Sequence, residues 1–135
     1  MPATKEFTIH IEDLPGTLGR VCHTLADYKV NIVAFQAARA EGPSLVRLVV
    51  DNPAMAKKAF DNEGVDYRET KVAQIKRPSR LGELARAASR LGDADINIKY
   101  AYCGVDPNTN TPVIIFGVAE AEQASAILDR TAVAA

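Results

Sequence analysis

Phe7, Ile9 and Ile11 alternate with Thr8, His10 and Glu12, the period of a strand with one buried face. Asp13-Leu14-Pro15-Gly16 breaks that alternation. From about Gly16 to Tyr28 the period changes to that of a helix, with Leu18, Val21, Cys22 and Leu25 on one stripe. Val30 to Ala38 reads as strand, Ala40-Glu41-Gly42-Pro43 as a turn and Ser44 to Val50 as strand. Asp51-Asn52 suits the cap of a second helix with Pro53 in its first turn. Ala56, Ala59 and Phe60 carry its buried side, Gly64 stops it, and Val65 to Glu69 makes a fourth strand. The order βαββαβ defines an α+β, ferredoxin-like unit.

The order then recurs. Val72 to Lys76 reads as strand, Leu81 to Leu91 as helix, Ile96 to Tyr102 and Pro112 to Val118 as strands, and Ala121 to Arg130 as helix. Pro15 with Leu18-Gly19 matches Pro78 with Leu81-Gly82, and Val30-Asn31-Ile32 matches Ile96-Asn97-Ile98. Self-similarity of this kind marks a duplicated fold. The first match has an offset of 63 and the second of 66, so we expect a three-residue insertion in Gly92-Asp93-Ala94-Asp95. Residues 1–69 form one expected repeat and 70–135 the other. Its final strand is short or missing, because only Thr131 to Ala135 remain. Only Thr70-Lys71 separates the strands at the junction, with no Gly/Ser linker, so tight packing of the repeats is expected. Leu45-Val46, Leu48-Val49-Val50 and Val113-Ile114-Ile115-Phe116 are apolar on both pleat faces, which predicts cover on both sides of the sheet.

Composition narrows the function. The chain has 135 residues, 16 basic and 17 acidic side chains and a formal charge of -1. A near-neutral chain lacks the basic footprint that nucleic acid requires. The run Lys76, Arg77, Arg80, Arg86, Arg90, relieved only by Glu83, reads as a solvated helix face. No apolar run approaches the roughly 18 residues of a membrane span, and MPATKEFTIHIED has no signal-like apolar region, so a cytoplasmic location is expected. Two cysteines and two histidines without close spacing offer neither a disulfide framework nor a zinc site. Cys22 and His23 are neighbours on a helix and point about 100° apart, too divergent for a nucleophile–base dyad. Asp106-Pro107-Asn108-Thr109-Asn110 imitates the start of a calcium loop but has Thr111 and Gly117 at the positions that need Gly and Glu. It reads as a polar hairpin connection. No cofactor motif occurs.

The strand-to-helix turn of the first repeat carries the candidate chemistry. Pro15 and Gly16 precede a helix start whose first amides lack internal partners and attract an anion. Asn31, at the next strand, both donates and accepts. Together with Asp13 these groups suit a small zwitterion, although the same residues also suit a plain helix cap and turn.

Asp13-Leu14-Pro15-Gly16-Thr17-Leu18, then Val30-Asn31-Ile32, resembles the signature of the ACT domain, and Arg77-Pro78-Ser79-Arg80-Leu81 with Ile96-Asn97-Ile98 resembles a degenerate copy. The resemblance implies a tandem, ferredoxin-like, amino-acid-binding regulatory protein without catalysis or cofactor. Its effector site would use Asp13, Leu14, Gly16, Thr17, Leu18, Asn31, Ile32 and Asn97, near an interface between two ACT units. Lys76 in place of Asp13 and Ser79 in place of Gly16 would weaken the second loop. The expected assembly is a homodimer, with a partner enzyme possible. Two other readings stand beside it: a ligand-free subunit that binds a partner enzyme, and a small enzyme for which no convergent titratable groups can be assembled.

Overall fold

The computed structural model describes residues 3–12, 14–39 and 44–134. Two units form: Lys5–Thr70, and Lys71–Ala135 with Met1–Thr4. The first is built from β1 (Thr4–Ile11), α1 (Thr17–Asp27), β2 (Ile32–Arg39), β3 (Ser44–Val50) and α2 (Pro53–Asn62). The strand β4 (Arg68–Lys76) crosses from it into the second, which continues with α3 (Glu83–Asp93), β5 (Tyr100–Asp106), β6 (Thr111–Gly117) and α4 (Ala121–Ala134).

The sequence predicts two strands where β4 is one. Thr70 and Lys71 contain no helix or strand breaker, so nothing interrupts the extended backbone between them. Gly64 does break the chain as expected, at φ +67. No strand follows α4 among the described residues. The predicted turn at residues 40–43 lies outside them.

In the first unit β3 is the middle strand, antiparallel to β1 through pairs such as Phe7 with Leu48 and to β2 through Phe35 with Leu48. In the second, β6 lies between β4 and β5, with Ala73 and Ala101 both opposite Phe116. These are equivalent ferredoxin-like arrangements. Val46, Leu48 and Val50 turn toward the helices, while Val49 is also buried. Val113 and Ile115 are fully buried as well. Phe116 is buried on the opposite face from Val113 and Ile115, so each middle strand buries residues on both pleat faces, as their lost alternation predicts.

The two cores differ in character. In the first unit, Phe7 packs edge-on against Phe60 and Tyr67, with ring centroids 5.6 Å apart in each pair. α1 adds Val21 and Leu25 to this cluster. In the second, α3 and α4 contribute Ala87, Ala121 and Ala124 beside Leu91, Ile127 and Leu128.

The two halves run at one offset through their first three elements. Gly16 (φ +89) and Gly82 (φ +80) begin α1 and α3, and Lys29 (φ +62) and Asp95 (φ +61) follow the helix ends. The Val30 N–H donates to Leu25 O and the Ile96 N–H to Leu91 O, each at the same step past its helix. The expected insertion at Gly92–Asp95 is therefore absent. Leu81 explains the misreading: it is 99% exposed, whereas Leu18 packs against its core, and the counterpart of Leu18 is Leu84. Gly82, rather than Ser79, corresponds to Gly16.

Tyr100 lies across Gly117, its direct partner in the sheet, so a Cβ on Gly117 would overlap the phenol ring. Gly117→Ala should destabilise the protein by about 1–3 kcal/mol, as overpacking does. In the background Tyr100→Ala the same substitution should cost less, read as the urea midpoint across a double-mutant cycle.

Candidate effector site

Among the described residues no side chain caps the start of α1. Gly16 holds the left-handed conformation just before Thr17, and no acidic residue occupies the first turn. Glycine adopts this geometry without the steric cost that a Cβ brings. The Thr17 hydroxyl turns back onto the loop, 2.9 Å from Glu12 O and 3.0 Å from Leu14 O. It braces the strand end against the helix start. Arg20 N–H donates to Gly16 O, the first regular helical bond, which leaves the amides of Leu18 and Gly19 at the open end of the helix dipole. α2 is handled differently: Asn52 Oδ1 accepts from the Met55 amide.

Beside this turn is an open cleft of about 420 Å³ within the first unit, lined by Ile11, Glu12, Thr17, Arg20, Val21, Thr24, Glu63 and Val65. Thr17, Arg20, Val21 and Thr24 come from one face of α1, at helical spacing. The cleft combines an aliphatic floor with two carboxylates and one guanidinium. Tyr28 links its rim to α2, donating to Glu63 Oε1 at 3.4 Å and accepting from Asn62 Nδ2 at 3.3 Å.

Of the residues expected from the sequence, Thr17 lines the cleft, and Gly16 and Leu18 flank it in the chain. Leu14 is 56% exposed on the preceding turn. Leu18 and Ile32 pack against the first core. Asp13 lies outside the described residues. Asn31 is tied to Asp51, with its backbone N–H 3.0 Å from Oδ1, its Nδ2 3.0 Å from Oδ2, and its carbonyl accepting from Asp51 N–H. The amide thus locks the entry of β2 to the exit of β3. Asn97 is exposed and belongs to the second unit, where the position of Asp51 is taken by Ala119. Sequence reading missed Glu12, Arg20, Thr24 and Glu63. The helical spacing of Arg20 and Thr24 with Thr17, beside the apolar stripe, was the available signal for the two missed positions on α1.

The second unit places a different side chain at the same turn. Glu83 stands where the first unit has Thr17, and its carboxylate meets Arg77, Arg80 and Arg86. Burial alone would raise its pKa, but the hydrogen bond from Arg86 and the charge of Arg77 outweigh burial and hold it below the usual value. Elsewhere, Lys76 pairs with Asp106. That contact and the amide of Asn108, 2.8 Å away, keep the Asp106 carboxyl below its ordinary range. Asp106 therefore organises a hairpin turn, as the sequence predicts for this loop. Burial pushes the Cys22 thiol up, away from thiolate. Among the described residues no group of three His, Cys, Asp or Glu side chains could hold a metal, and no helix is long and apolar enough to cross a membrane.

Residues 3–133 match the family described as ACT domain pair. Over 42 residues the chain is 50% identical to D-3-phosphoglycerate dehydrogenase from Methanocaldococcus jannaschii, a stretch covering 30% of this chain and 8% of that enzyme. Among solved structures, protein BT0572 from Bacteroides thetaiotaomicron superposes with a TM-score of 0.80 at 23% identity, covering 96% of this chain and 88% of that one. The ligand-free regulatory subunit of aspartate kinase from Thermus thermophilus gives 0.62 at 15% identity, covering 96% and 91%. These likenesses establish the fold.

Because its folded pKa is lowered, Glu83 contributes ionic stability in full above the ordinary carboxylate range and loses it as pH falls through the folded value. Glu83→Gln should cost about 2–4 kcal/mol at neutral pH. The difference from the parent should shrink on acidification, read as urea midpoints across the acid range. Asp51→Ala frees the Asn31 amide at an exposed site and should cost about 1 kcal/mol by the same measurement.

Proposed function

Because the chain belongs to the ACT domain pair family, we propose that it is a non-catalytic regulatory protein whose first unit binds a free amino acid beside the start of α1. One observation carries this reading: the cleft sets two carboxylates and one guanidinium around an aliphatic floor. A zwitterion with a small apolar side chain complements that arrangement. Arg20 and the amides of Leu18 and Gly19 at the start of α1 take the α-carboxylate. Glu12 and Glu63 take the ammonium group, and Ile11, Val21 and Val65 meet the side chain. Leu14, Gly16 and Thr17 shape the turn, and Ile32 supports it from the core. Asn31 positions it through Asp51.

The effector acts by binding one arrangement of ACT units more tightly than another, since only differential affinity shifts an equilibrium. A cytoplasmic homodimer is the assembly we favour. Leu14 and Phe35 are more than half exposed, and large apolar side chains of this kind gain from cover by a second copy. A partner enzyme would read the change.

A second reading, a ligand-free subunit for a partner enzyme, draws on the Glu83 cluster, in which this fold places a carboxylate of its own at the turn. Calorimetry with the twenty amino acids separates the two. Saturable heat with at least one, weakened about five- to 150-fold by Arg20→Ala, is expected for loss of one charged partner. Absence of heat with all twenty would leave the ligand-free subunit.

A further inference from the structure

The second unit contains a larger cavity, of about 450 Å³, that the amino-acid reading does not use. Its walls come from three strands and the start of α3. Ile75, Leu84, Ala101, Cys103 and Ile114 are among its apolar lining. Arg77, Ser79 and Glu83 supply charged and polar lining. Leu84 is 55% exposed and Cys103 is an exposed free thiol, so the cavity opens to solvent.

Its electrostatics are the reverse of those in the first unit. Three guanidinium groups, Arg77, Arg80 and Arg86, converge on the single Glu83 carboxylate. Arg77 and Glu83 line the cavity, whereas Arg80 and Arg86 reach Glu83 from outside its lining, so the cluster beside this wall carries more positive than negative charge. Lys76, the adjacent cation, is already matched by Asp106. An ammonium group would be repelled there. A carboxylate would be attracted, and its hydrocarbon tail would displace water from Ile75, Leu84 and Ile114.

We infer that the second unit carries its own binding site for a small apolar carboxylate without an amino group, with its tail between Leu84 and β5 and its charge at the arginine cluster. The volume exceeds that of a medium-chain acid. The site does not depend on the amino-acid site in the first unit, and either stands if the other fails.

Cys103 supplies a native reporter on the cavity wall. In Cys22→Ser protein, the rate of Cys103 modification by a disulfide reagent is measured with octanoate, octanol or octylamine. Octanoate should slow the reaction saturably, octanol should do so more weakly, and octylamine should have no effect. Leu84→Asp, at an exposed position, should abolish the protection. Arg80→Gln, at a side chain 50% exposed, should weaken octanoate about two- to five-fold and leave octanol unchanged. Arg20→Ala should change nothing in this assay, which separates the site from that of the first unit. Equal protection by all three probes, no protection by octanoate, or protection that survives Leu84→Asp would overturn the inference.

Discussion

A single backbone requirement shapes both helix starts: the residue before α1 and before α3 must adopt a left-handed conformation. Glycine meets it at both places at little steric cost. The turn then delivers the first amides of each helix without a side-chain cap among the described residues, so some other group must satisfy them. What each half places there determines its chemistry. The first leaves an open cleft of mixed charge, and the second inserts Glu83.

That difference is one residue deep in sequence and large in consequence. Thr17 has a short side chain that bonds back to the loop and leaves the space ahead of α1 open. Glu83 has a long side chain that gathers three arginines beside the start of α3. Duplication has thus produced two turns of one geometry and opposite polarity. A buried carboxylate among arginines trades desolvation against attraction, and its value lies partly in fixing one loop conformation.

Much of this was legible from periodicity. Ser44–Val50 and the Pro53 helix start were readable residue by residue, because alternation, an Asn cap and a first-turn Pro act locally. The ferredoxin-like order was equally plain. The pairing of the repeats was not. Leu18-Gly19 and Leu81-Gly82 share letters but not environment, since one Leu packs inward and the other stands in solvent. Burial distinguishes them, and a sequence does not state burial. The same holds for the cleft: Arg20 and Thr24 look like ordinary surface positions until α2 brings Glu63 opposite them. Asn31 was recognised as special, but its partner Asp51 lies on another strand, and only the fold brings the two together.

The strand β4 has a further implication. Many duplicated proteins join their halves by a flexible tether that a protease can cut and an engineer can lengthen. Here the junction is part of an extended strand from Arg68 to Lys76, whose later residues pair with β6. Cutting within that strand would remove backbone partners from the sheet of the second half, not merely release it. The boundary between the two units therefore falls inside a strand, where a break costs sheet pairing as well as connection.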